Sequence, residues 1–179
     1  ETNVKSFLAR NTSTIDFDTN YQSKSKINSI AIDTIIKLGA GAVYGPYVEK
    51  NNYVLAKYIA TKMFPDSVNA RHILIGTANP QTGEPIMEDS IARRRADSLF
   101  AAIKAGADFG TLVTQFSTDE GSKDKGGVYE KVFYGQMVPE FNEFVFAKPV
   151  GSMDVVKTQF GYHIIEVMSQ KGSAPTYKV

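Results

Sequence analysis

Between Gly135 and Ile165 the chain leaves itself few ways to fold. Gly135-Gln136-Met137-Val138-Pro139-Glu140-Phe141 turns out of an extended segment into a helix. Proline suits the first helical position, where its missing N–H costs nothing. Met137 then precedes the helix and Phe141 lies in its first turn, so both can face one small pocket. A flexible thioether beside an aromatic ring makes a receptacle for a compact apolar ring. Further on, Asp154 to Gln159 and the segment from Tyr162 read as two strands joined by a turn at Phe160-Gly161. Gly161 supplies the backbone freedom that a tight turn needs.

Upstream, residues 70–77 alternate as a strand, with His72 and Leu74 on one face and Ile73 and Ile75 on the other. A helix is predicted from about Asp89 to Ala105, burying Ala92, Ala96, Leu99 and Ile103. A second starts at the cap Asp108, with Phe109, Leu112, Val113 and Phe116 at i, i+3, i+4 and i+7. Ser117 to Lys125 reads as a polar loop, residues 127–133 as a strand and 139–147 as a helix. Strand, helices, strand, helix, two strands is an α+β order.

These elements define a domain over residues 67–171, with 1–66 as a smaller α+β segment and 172–179 as a tail leading to a further region. The break falls at Phe64-Pro65-Asp66-Ser67. In the first segment we expect a helix over 2–10, a strand or turn around Phe17 and Tyr21, and an amphipathic helix over 27–38. Strands follow over 47–50 and 53–63. Gly41-Ala42-Val43-Tyr44-Gly45-Pro46 echoes Gly151-Ser152-Met153-Asp154-Val155-Val156, which puts Tyr53 where His163 stands. Two readings stay open: a degenerate, incomplete copy of the second domain, or chance similarity between two Gly-bounded hairpins.

Composition narrows the function. With 179 residues, 42% of them hydrophobic, the chain can build one ordinary domain and a smaller one. A net charge of +1 gives no global electrostatic case for nucleic acid. The absence of cysteine excludes disulfides, zinc–thiolate sites and a cysteine nucleophile. No run approaches the ~20 apolar residues of a membrane span. The chain opens Glu1-Thr2-Asn3 and reads as a piece of a longer protein, so any membrane link would come through regions outside it. Arg93-Arg94-Arg95 sits near Asp89 and Asp97 and reads as a solvated helix face. Ser117, with Asp119 and His163, lacks the surroundings of a hydrolase nucleophile. A metal held by His72, His163 and Asp119 would need a third strong ligand, and nothing in the sequence requires a metal or cofactor.

Taken together, residues 70–169 resemble the parvulin family of peptidyl-prolyl cis/trans isomerases, especially those in bacterial envelope foldases of the SurA and PpiD kind. The matching pieces are Ala70-Arg71-His72-Ile73-Leu74, Gly106-Ala107-Asp108-Phe109 and Phe116-Ser117-Thr118-Asp119 with Gly121-Ser122. They continue with Lys125-Gly126-Gly127, Gly135 to Phe141, and Thr158-Gln159-Phe160-Gly161-Tyr162-His163-Ile164-Ile165. The resemblance implies a four-stranded antiparallel sheet wrapped by helices. It matches His72 and His163 to the family's paired histidines, Asp119 to its Cys-or-Asp position and Thr158 to the adjoining hydroxyl. It matches Met137 and Phe141 to the proline pocket, with Gln136, Tyr129 and Phe160 around it. The departure is the run Gly126-Gly127-Val128-Tyr129-Glu130-Lys131-Val132. The family commonly has Leu where Tyr129 stands and an aromatic where Val132 stands. The implied setting is the periplasm, and the implied partner is unfolded, proline-containing polypeptide.

The chemistry fits these residue types. The C–N bond is partly double, so rotation costs ~18–20 kcal/mol. The two X–Pro isomers differ by only about 0.5–1 kcal/mol but exchange slowly. A catalyst has only to favour the twisted amide. An apolar grip on the ring and a polar group near the carbonyl supply that preference without a nucleophile. The same fold can also serve as a peptide-binding chaperone module with little isomerase activity.

Overall fold

The computed structural model describes residues 10, 20–79 and 82–179. The helix expected over 2–10 and the turn at Phe17 lie outside these residues, Arg10 excepted. The elements are β1 (Gln22–Ser23), α1 (Ile32–Ile35), β2 (Val43–Glu49), β3 (Asn52–Lys57), β4 (Ala60–Phe64) and β5 (Ser67–Gly76). They continue with α2 (Asp89–Lys104), α3 (Phe109–Phe116), α4 (Glu120–Lys123) and β6 (Val128–Val132). Then come α5 (Pro139–Ala147), β7 (Met153–Thr158), β8 (Gly161–Lys171) and β9 (Ala174–Lys178). The chain divides between Lys62 and Met63, and residues 175–179 belong with the first unit.

The second unit is a four-stranded antiparallel sheet of order β6-β5-β8-β7. Pairing of Leu74 with His163, and of Ile73 with Ile164, fixes which side chains share a face. Ile73, Ile75, Tyr162 and Ile164 pack under Ala92, Ala96 and Leu99 of α2 and Phe109 and Val113 of α3. The alanines present almost no side chain, so α2 lies close against the strands. Asp108 caps α3 by accepting from the Thr111 N–H at 2.8 Å. On the other face α5 covers β5, β7 and β8. Its Pro139 occupies the first turn, as the sequence predicts.

Two glycines permit the close approaches behind the site. Gly127 has φ +77°, and a Cβ there would lie 2.2 Å from the His72 carbonyl oxygen. Gly161 has φ +138°, and its Cβ would lie 2.2 Å from the Ile75 carbonyl oxygen. Only a residue without Cβ allows these contacts.

The first unit differs from expectation. The helix expected over 27–38 contracts to α1. Ser29 bonds the Ala31 N–H at 3.2 Å, which holds a turn where a helix would run, and Ile32, Thr34, Ile35 and Ile36 are β-branched. The expected 53–63 strand splits because its partner changes. The Tyr58 N–H bonds Ala42, whereas the Ile59 N–H bonds Lys178. Residues 172–179 are not a tail: β9 pairs with β1, lies beside β4, and buries Thr176. Gly172 and Pro175 read locally as a linker, and only non-local pairing makes the strand. The β2–β3 hairpin stands alone as a two-stranded sheet, and its Tyr53 is 86% exposed, unlike His163 at 4%.

Candidate active site

The face of the second sheet that turns from α2 and α3 carries two buried histidines. His72 rises from β5 and His163 from β8, their rings stacked with centroids 5.2 Å apart. Nδ1 of one lies 3.0 Å from Nδ1 of the other. His163 Nε2 is 2.8 Å from Thr158 Oγ1, and that oxygen also accepts from the Phe160 N–H at 3.2 Å. His72 Nε2 is 2.8 Å from Asp119 Oδ2. The same carboxylate oxygen accepts from Tyr129 Oη at 2.9 Å and from the Ser122 hydroxyl.

The hydrogen bonds to His72, Ser122 and Tyr129 hold the Asp119 carboxyl well below the usual range, against the opposing effect of burial. Burial, and then His72, push His163 down to about 3, so it is neutral. Burial and the neighbouring carboxylate push Tyr129 up to about 12, so it keeps its proton. With Asp119 ionised and His163 neutral, an arrangement in which His72 donates once and accepts once satisfies every contact. His72 Nε2–H donates to Asp119, His163 Nδ1–H donates to His72, and the Thr158 hydroxyl donates to His163. The tautomers follow from that network.

Above the histidines opens a cavity of about 490 Å³. Its apolar wall is Leu74, Met137, Val138, Phe141 and Phe160. Phe141 sets its edge against both imidazoles, at centroid distances of 5.4 and 5.7 Å. Asp119, Tyr129 and Gln136 line the polar side. Gln136 braces the loop before α5 by accepting from the Phe133 N–H at 2.8 Å. Eight of the nine residues picked from the sequence therefore line one cavity, and Thr158 lies behind it on His163.

Sequence reasoning missed several neighbours. The stretch read as a polar loop contains α4 and buries Ser117 and Ser122. Ser117 Oγ accepts from the N–H groups of Leu74 and Asp119, at 3.2 and 3.3 Å, fastening the stretch to β5. Buried Asn142 accepts from the Gly135 N–H at 2.7 Å and steadies the Met137 loop. Leu74 was legible, since it alternates in phase with His72.

A sheet of this order, with paired histidines beneath a small half-apolar cavity, defines a parvulin-type domain. A family model described as the PPIC-type PPIase domain matches residues 53–171. The chain belongs to that family. It is 30% identical over 152 residues to the chaperone SurA of Legionella pneumophila (strain Lens), covering 80% of this chain and 34% of the relative. It is 31% identical over 162 residues to the chaperone SurA of Chromohalobacter salexigens, covering 86% and 36%. The chain thus spans about a third of the length of these relatives. Among solved structures, the peptidyl-prolyl isomerase ESS1 from Candida albicans matches with a TM-score of 0.50 at 23% identity, covering 58% of this chain and 63% of that one, a likeness of fold.

Proposed function

We propose that the second unit catalyses rotation about X–Pro bonds in unfolded or partly folded polypeptides, without covalent chemistry. The observation that carries this reading is one cavity with an apolar wall at Met137 and Phe141 facing an ionised carboxylate at Asp119. The apolar wall grips the proline ring. Planar amide resonance places negative charge on the carbonyl oxygen, and twisting the bond removes it. A fixed carboxylate beside that oxygen therefore disfavours the planar states more than the twisted one. His72, His163 and Thr158 fix the carboxylate and the shape of the floor. The place of action we propose, from the family resemblance, is the bacterial envelope.

The test is the exchange rate of X–Pro peptides with the wild-type chain and with Met137→Ala and Asp119→Asn. Met137 is only half-buried, so its variant folds. Loss of its contacts lowers the catalysed rate by roughly tenfold. A folded wild type that accelerates no X–Pro peptide would sink the enzymatic reading. A second reading, a peptide-binding chaperone module, is favoured by the Tyr129 hydroxyl, which occupies the Asp119 carboxylate. Its signature would be peptide binding without rate acceleration.

A further inference from the structure

The β2–β3 hairpin repeats the backbone of the β7–β8 hairpin. The Gly41 N–H donates to the Tyr58 carbonyl at 2.7 Å, the Tyr58 N–H to Ala42 at 3.0 Å, and the Ala42 N–H to Gly39 at 3.0 Å. In the second unit the Gly151 N–H donates to Val167 at 2.8 Å, the Val167 N–H to Ser152 at 2.9 Å, and the Ser152 N–H to Pro149 at 3.1 Å. Gly41 and Gly151 have φ of +87° and +86°. The registers agree as well. Val43↔Lys57 and Glu49↔Asn52 answer to Met153↔Glu166 and Thr158↔Gly161, apart from a bulge between Tyr44 and Tyr47 that adds one residue to β2. A helix precedes each glycine, and its Ile35 or Val145 is fully buried at the same distance before it.

The bulge moves the match by one residue. Val54, not Tyr53, stands where His163 stands, and Glu49 stands where Thr158 stands, so the hairpin lacks the histidine site. Tyr53 and Leu55 answer instead to Tyr162 and Ile164. Those two lie buried under α2 and α3, whereas Tyr53 is 86% and Leu55 67% exposed. Cross-strand pairing puts exposed Val43 and Val48 on the same bare face. The second edge of β8 pairs with β5, and β3 has no such partner among the described residues. A two-stranded hairpin with an open edge and apolar side chains on both faces is an unfinished core.

We infer that α1, β2 and β3 close a second parvulin-type unit without a histidine site, and that the bare side of β3 is the interface for the rest of that unit. The occupant is a segment of the same polypeptide outside these 179 residues. It brings a strand that pairs antiparallel with β3 and a helix that lays an apolar stripe over Tyr53 and Leu55. The second unit shows the chemistry at the equivalent positions: β5 pairs with β8, and Ala92, Ala96 and Leu99 of α2 pack with Tyr162 and Ile164. The relatives, of which this chain spans about a third, have the length to supply such a segment.

The experiment compares hydrogen exchange of the β3 amides in the 179-residue chain and in the intact natural polypeptide, each at two protein concentrations. Pairing and burial are expected to slow these amides at least ~100-fold in the longer chain, at either concentration. Leu55→Lys gives a second readout. It leaves the urea midpoint of the 179-residue chain in place, because Leu55 is exposed there, and lowers the midpoint of the longer chain. Protection that appears in the 179-residue chain only on concentration places a second copy on this face and overturns the inference. Protection that arises only when an unfolded polypeptide is added overturns it too. So does an intact polypeptide that extends no further than these residues, or one whose β3 amides exchange as fast as those of the 179-residue chain.

Discussion

Three donors converge on one oxygen of Asp119, and that convergence sets the character of the site. Hydrogen bonds to a charged acceptor are strong, and each one favours the ionised form. Removing one lets the carboxyl drift back up. Tyr129→Phe deletes a single hydroxyl and keeps the ring, so the Asp119 pKa should rise toward its ordinary 3.8. A carboxyl-detected NMR titration measures this, and an unmoved pKa would mean that the tyrosine does not donate. The histidines and Asp119 were singled out in the sequence by the resemblance of His72-Ile73-Leu74, Ser117-Thr118-Asp119 and Gly161-Tyr162-His163 to parvulin motifs, and the structure places all three against one cavity. Ser122 was not. A serine among Glu120, Gly121 and Lys123 looks solvated, and only the return of the segment over β5 buries it.

At the scale of elements, β6 depends on one residue without a side chain. The Gly127 carbonyl accepts the His72 N–H at 2.9 Å, and Gly127 holds φ +77°. Gly127→Ala brings a methyl into the His72 carbonyl and imposes a left-handed conformation on alanine. The cost should be at least ~2 kcal/mol, read as a lowered urea midpoint. An unchanged midpoint would mean that β6 does not pack as described. The helices over 89–104, 109–116 and 139–147 were legible because apolar spacing and caps are local signals. The hairpin β7–β8 was legible from its turn. The strand β9, and the break that separates β4 from β3, were not, because both follow from a pairing remote in sequence. The segment 27–38 misled for the opposite reason. Its apolar spacing is helical, while its β-branched residues and Ser29 favour turns.

At the scale of the whole molecule, the buried histidine couples folding to pH. The fold lowers His163 from 6.5 to about 3, chiefly because burial penalises its charged form. Above pH 6.5 neither the folded nor the unfolded state carries that proton, and the stability from neutral His163 is fully present. As pH falls below 6.5 the unfolded chain takes up the proton and the folded chain refuses it until about pH 3. Stability therefore falls with pH in this window, by at most ~1.4 kcal/mol per pH unit from this one group. Asp119 acts lower on the scale. Its depressed pKa adds stability that is present above 3.8 and lost as pH falls through the folded value. His163 lies in the second unit, so between pH 6.5 and 4 its contribution reports on that unit. Urea midpoints of the wild type should drop steadily from pH 7 to 4.5. His163→Gln starts less stable at pH 7, because it disturbs the bonds to Thr158 and His72, yet its midpoint should fall less steeply. If the two slopes coincide, His163 is not held neutral by the fold, and the proton order from Thr158 to Asp119 would have to be redrawn.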